Sequence, residues 1–109
     1  MNDILLVLTN LPDATSAARL AHHLIEERAA ACVNQLPPCT STYRWQAKIE
    51  STTEVPLLIK TTQAAYPRLE KLIREAHPYE LPEIIAVPVT AGLPAYLDWI
   101  ANETIITKE

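Results

Sequence analysis

The sequence of 109 residues predicts an α+β domain of ferredoxin-like type, ordered β-α-β-β-α-β with an added C-terminal helix. Three observations carry this prediction. Two helix-periodic stretches each lie between apolar runs of strand length, and a β-prone hairpin separates the two strand–helix–strand units. A glycine and a proline near residue 92 then open a short last helix.

The first strand is ILLVL (Ile4–Leu8), an unbroken apolar run typical of a central strand. Pro12 and Asp13 supply a turn and a helix N-cap. Beyond them Ala17, Leu20, Ala21, Leu24 and Ile25 recur on one helical face, opposite Arg19, His22, His23, Glu26 and Glu27. The helix ends near Ala29–Cys32, where CVNQL (Cys32–Leu36) reads as the next strand. Residues Ser41–Glu50 are β-prone, and Glu54–Thr62 is a further strand that admits Pro56 at an edge or first pairing position. The polar ESTT between them (Glu50–Thr53) reads as the hairpin turn. A second helix places Ala65, Leu69, Leu72, Ile73 and Ala76 on one face, and Glu83–Val89 is the last core strand. Gly92 and Pro94 introduce a helix with Leu93, Tyr96, Leu97 and Ile100 on its apolar side. Both long helices would cover one face of a four-stranded antiparallel sheet. The other face stays bare, and in so short a chain a bare apolar face needs a partner.

Composition narrows the function. One domain spanning residues 1–109 is expected from the length. A 49% hydrophobic share with only 20% charged residues points the same way as the bare face, toward cover by another chain. The formal charge of −4, with no basic stripe, argues against nucleic acid. The single glycine, Gly92, excludes phosphate-cradling loops, which need several. The N-terminus lacks the pattern of a signal peptide and no apolar run reaches membrane-spanning length, so a cytoplasmic protein without a membrane partner is expected. Cys32 and Cys39 are then reduced thiols whose spacing matches no zinc or redox motif. Cys32 is expected as a small buried hydrophobe and Cys39, beside Pro37 and Pro38, as the more exposed of the two.

The chemically richest stretch is HPYELPEI (His77–Ile84), a connection between helix and strand. Pro78 and Pro82 force His77 and Leu81 out of helical conformation. In an extended proline-rich chain His77, Glu80 and Glu83 share one face, their Cα atoms roughly 9 Å apart. Two readings stand side by side. The segment is a rigid connection whose polar groups pair locally or across an interface, or it is a metal or proton site completed by a bend or a second subunit. Tyr43, Arg44 and Trp45 form an aromatic patch with the composition of an interface anchor. His22–Glu26 and His23–Glu27 are i,i+4 pairs on a solvated helix face.

Four stretches together resemble the CutA family of divalent-cation tolerance proteins: EERAAACVN (Glu26–Asn34), YRWQAKIE (Tyr43–Glu50), LLIKT (Leu57–Thr61) and HPYELPEI. They stand in family order and spacing, and the resemblance runs from about Ile4 to Ile100. It implies a ferredoxin-like subunit assembled as a tight homotrimer, similar in architecture to PII signalling proteins. It also implies a link to copper and other divalent ions, with no established catalytic activity. The chain departs from the family at Ala47, where the hairpin usually has glycine. It departs again at Thr9 and Ala76, where some metal-binding members have cysteine and histidine. His77 remains from that set, so weak binding of Cu²⁺ or a related divalent ion through His77 is expected, with Cys32 and Cys39 as soft-metal thiols.

A competing expectation is a PII-like module that binds a small effector in the inter-subunit cleft. There Tyr43, Trp45, Lys60, Tyr79, Glu80 and Glu83 are the interface or cleft residues. An enzyme using His77 as base with Glu80 or Glu83 lacks a readable nucleophile.

Overall fold

A computed structural model describes residues 3–105. Its elements are β1 (Ile4–Leu11), α1 (Ala14–Glu26), β2 (Cys32–Gln35), β3 (Cys39–Trp45), β4 (Lys48–Thr62), α2 (Tyr66–Ala76), β5 (Ile85–Pro88) and α3 (Pro94–Glu103). The sheet order is β2-β4-β1-β5, antiparallel throughout, with β3 paired to β4 off that path. This is the expected ferredoxin-like α+β arrangement with a C-terminal helix.

Asp13 caps α1 as its position suggests, its carboxylate accepting the Ser16 N–H at 2.7 Å. At the other end Arg28 takes a left-handed φ of 54°, and the Arg68 guanidinium donates to its carbonyl. Val7, Leu11, Leu57 and Ile59 of the sheet meet Leu20 and Leu24 of α1 and Leu69 and Ile73 of α2 in the main core. Ile25, assigned to the buried face of α1, is 41% exposed, since it lies in the last turn of the helix, beside Arg28 and Glu103 at the surface.

The hairpin differs from expectation. β4 is one strand of 15 residues, and Glu50–Thr53 lie inside it rather than in a turn. The reversal is at Gln46 and Ala47, both left-handed with φ of 50° and 66°, as a tight two-residue hairpin turn demands. The first half of β4 pairs with β3 up to Glu54, and β2 takes over at Leu57. Pro56 falls in the gap between the two partners, where its missing N–H is not needed on that side. The β3–β4 hairpin therefore projects as an arm. The radius of gyration is 14.7 Å, against about 13 Å for a compact chain of this size.

Antiparallel partners share a face, so Leu6, Leu8, Leu58, Ile85 and Val87 lie together on the side away from α1 and α2. α3 covers one corner of that side, where Ile100 and Leu97 pack with Ile4, Ala31 and Val89. The remainder is open: Ile85 is 52% exposed and Val87 47%. Leu93, the N-cap of α3, and Tyr96 within it do not join the core, and Tyr96 instead stacks on Trp99 with ring centroids 5.6 Å apart.

Candidate functional site

Asn10, near the end of β1, organises the loaded connection. Its backbone carbonyl lies 2.6 Å from His77 Nε2, while His77 Nδ1 accepts the Tyr79 N–H at 3.2 Å. The two bonds define a neutral imidazole protonated at Nε2, in a residue that is buried. The Asn10 side-chain amide donates to Glu83 Oε1 at 3.2 Å and reaches Glu54 Oε1 at 3.5 Å. One asparagine thus ties the histidine to two carboxylates.

The extended face expected for His77, Glu80 and Glu83 is not formed. The chain bends over Tyr79–Leu81, which turns His77 inward and leaves Glu80 and Glu83 open. Both glutamates look across at the β3–β4 arm. There Tyr43 pairs with Glu50, Cys39 pairs with Glu54, and alternation puts Tyr43, Trp45, Glu50 and Glu54 on one face. The two walls enclose a cleft of about 700 Å³. Its aromatic lining is Tyr43, Trp45 and Tyr79, and its carboxylates are Glu50, Glu54, Glu80 and Glu83.

The cleft is strongly acidic. Among the described residues four carboxylates and no lysine or arginine line it. Burial pushes the Tyr79 phenol up to about 12, helped by Glu54 as hydrogen-bond acceptor and as neighbouring negative charge. Asp13, the N-cap of α1, has its carboxyl held low by the Ser16 hydrogen bonds.

Of the expected site residues, Tyr43, Trp45, Tyr79, Glu80 and Glu83 come together in this cleft. His77 lies behind it with both ring nitrogens bonded to backbone groups, a geometry that opposes direct metal ligation and action as a base. Lys60 is elsewhere. It sits six residues beyond Glu54 on β4, roughly 20 Å along the strand, and donates to Asn34 Oδ1 at 2.7 Å on the open sheet face. Cys32 is only half-buried there, 3.9 Å from the Lys60 ammonium, and is not the core hydrophobe expected. Cys39, also half-buried, contacts Ser41 at 3.9 Å. Thr9 is fully buried on the helix-covered side, and its hydroxyl has no hydrogen-bond partner among the described residues. Ala76 lines a separate depression with His22 and His23, so positions 9, 76 and 77 face different surroundings. The His22–Glu26 pair forms at 3.5 Å on the exposed face of α1.

Asn10, Glu50 and Glu54 were not singled out by sequence. Glu50 stands inside a recognised motif, but a buried carboxylate at Glu54 and a hub at Asn10 depend on contacts between distant segments. Among the described residues no three histidine, cysteine, aspartate or glutamate side chains converge on one metal-binding point. No helix among them is long and apolar enough to cross a membrane.

Fold and cleft define a class: a small antiparallel α+β subunit with an aromatic and acidic groove under a projecting hairpin. Residues 5–103 match the family described as CutA1 divalent ion tolerance protein. The divalent-cation tolerance protein CutA of Thermus thermophilus is 45% identical over 98 residues, covering 90% of this chain and 95% of that protein. Mouse protein CutA is 44% identical over 85% of this chain, which spans only 52% of the mouse protein. Among solved structures, CutA of Xylella fastidiosa superposes with a TM-score of 0.92 at 48% identity, covering 94% of this chain and 99% of that one. A Nostoc protein described as PII-like protein CutA gives 0.86 at 38% identity, covering 98% of this chain and all of that one, 100%. The chain belongs to the CutA1 divalent ion tolerance family.

Proposed function

We propose that the chain is one subunit of a cytoplasmic homotrimer that serves divalent metal-ion homeostasis without catalysing a reaction. Its cations bind weakly in the acidic cleft. Four carboxylates lining one cleft with no basic side chain among the described residues carry this reading. Such a groove concentrates cations and repels anions, which also weighs against an anionic effector. Carboxylate donors without a converged triad suit hard divalent ions that keep much of their water. Copper is held poorly, because His77 must first give up its bond to Tyr79 N–H or to the Asn10 carbonyl. His77 therefore positions the cleft.

Calorimetric titration of the assembled protein with Mn²⁺ and with Cu²⁺ tests the proposal. Both ions are expected to bind at micromolar affinity or weaker, and the Glu54→Gln/Glu83→Gln variant should lose Mn²⁺ binding. His77→Ala separates a positioning role from ligation, and His22→Ala/His23→Ala removes adventitious copper on α1. Unchanged Mn²⁺ binding in the carboxylate variant overturns the assignment to the cleft.

A further inference from the structure

The cleft is larger and more aromatic than a metal ion requires. A volume of about 700 Å³ falls within the range of roughly 300–1,000 Å³ typical of small-molecule sites. Metal ions do not use the faces of Tyr43, Trp45 and Tyr79, whereas organic cations do, through attraction to the ring quadrupole. Glu54 adds a second, independent observation. It is only 7% exposed, lines the cleft and has no lysine or arginine partner among the described residues. Its neighbours are the neutral donors Asn10 and Tyr79. A carboxylate that deep is costly without an opposing charge, and within the subunit the cleft is the side on which Glu54 is open to one. The nearest cation on the same hairpin face is Lys48, which pairs with Trp45 at the tip and does not line the cleft.

We propose that the cleft binds a small organic ammonium compound carrying more than one positive charge. Its cationic centres are met by Glu54 at depth and by Glu50, Glu80 and Glu83 at the mouth. Its methylene stem lies against the aromatic wall. An inorganic divalent ion satisfies the charge but leaves the aromatic faces and most of the volume unused. The inference concerns the same groove as the metal reading, and the two stand or fall on different measurements.

Spermidine is the probe, with choline as singly charged comparator and glutamate as anionic control, titrated calorimetrically into the assembled protein at fixed ionic strength. Spermidine should bind once per chain, choline more weakly, and glutamate not at all. Glu54→Gln should weaken spermidine about tenfold or more, the loss of a charge-assisted bond. Tyr43→Leu should weaken it two- to fivefold, roughly the loss of one cation–π contact. Glu27→Gln, outside the cleft, should change nothing. If Glu54→Gln disturbs assembly by native mass spectrometry, the exposed pair Glu80→Gln/Glu83→Gln replaces it and should also weaken binding. Mn²⁺ binding without spermidine binding overturns this inference and leaves the metal reading intact. Spermidine binding without Mn²⁺ does the reverse. Equal weakening by Glu27→Gln reveals a general counter-ion effect and overturns the site, as does a cleft filled by a partner's basic side chain.

Discussion

Ala47 holds φ of 66° without the freedom of glycine, beside Gln46 at 50°. The left-handed region brings Cβ too near the following carbonyl, a cost of roughly 1–2 kcal/mol that glycine avoids. Glycine gives some of that back through its greater freedom in the unfolded chain. Ala47→Gly is therefore expected to raise the unfolding free energy by about 0.5–1 kcal/mol in denaturant melts; a lowered midpoint would show the turn unstrained. Tyr79 supplies a second residue-scale expectation. Its folded-state value of about 12 lies above the ordinary 10, so the folded protein holds the phenolic proton more tightly. The contribution is whole below pH 10 and is lost as pH rises from there through about 12. Ultraviolet titration should show a phenolate component near 12 that is missing in Tyr79→Phe. A difference spectrum centred at ordinary tyrosine pH would contradict the packing against Glu54.

At the scale of elements, helices and central strands were legible because their signals are local. The face of α2 repeats at the helical period, β1 is an unbroken apolar run, and Asp13 is a capping residue in capping position. The arm was misread for an equally physical reason. Gln46–Ala47 is not a turn dipeptide, whereas ESTT is polar enough to imitate one, so the reversal was displaced by several residues. The cleft was half legible. The segment from His77 to Glu83 declares its chemistry in sequence, but nothing in it reveals that Asn10, 67 positions away, occupies His77 Nε2. The arm also sets a prediction. It carries Trp45 at 37% exposure and Ile49 at 71%, anchored to the rest of the sheet only through β4. Apolar side chains on a projecting hairpin stabilise little within one chain. Trp45→Ala should therefore weaken assembly, by about 2 kcal/mol or more for an interface anchor, while the circular dichroism of the subunit stays native. A stable assembly with unchanged melting would sink this assignment.

For the whole molecule, the question is what covers the second face of the sheet. α3 shields only the corner at Ile4, and Leu6, Leu8, Leu58, Ile85 and Val87 continue the apolar surface beyond it. Among the described residues two four-residue strands, β2 and β5, end the sheet with unpaired outer edges. Short edges limit runaway pairing, but the apolar face between them remains a liability in a monomer. An isologous pair would cover the face and leave the arms projecting. A closed ring also gives each arm a neighbouring subunit to grip, and three subunits are the number the family resemblance implies. In the trimer proposed above each arm, and with it one wall of the cleft, would meet a neighbouring subunit, so cation binding and assembly are expected to be linked. Native mass spectrometry at low micromolar concentration is expected to show three chains. Raising Mn²⁺ should slow exchange of isotopically labelled subunits, since an ion held in the cleft fixes the arm against the Tyr79–Glu83 segment. A persistent monomer would remove the cover that this face needs. A trimer whose subunit exchange ignores Mn²⁺ would separate assembly from the site.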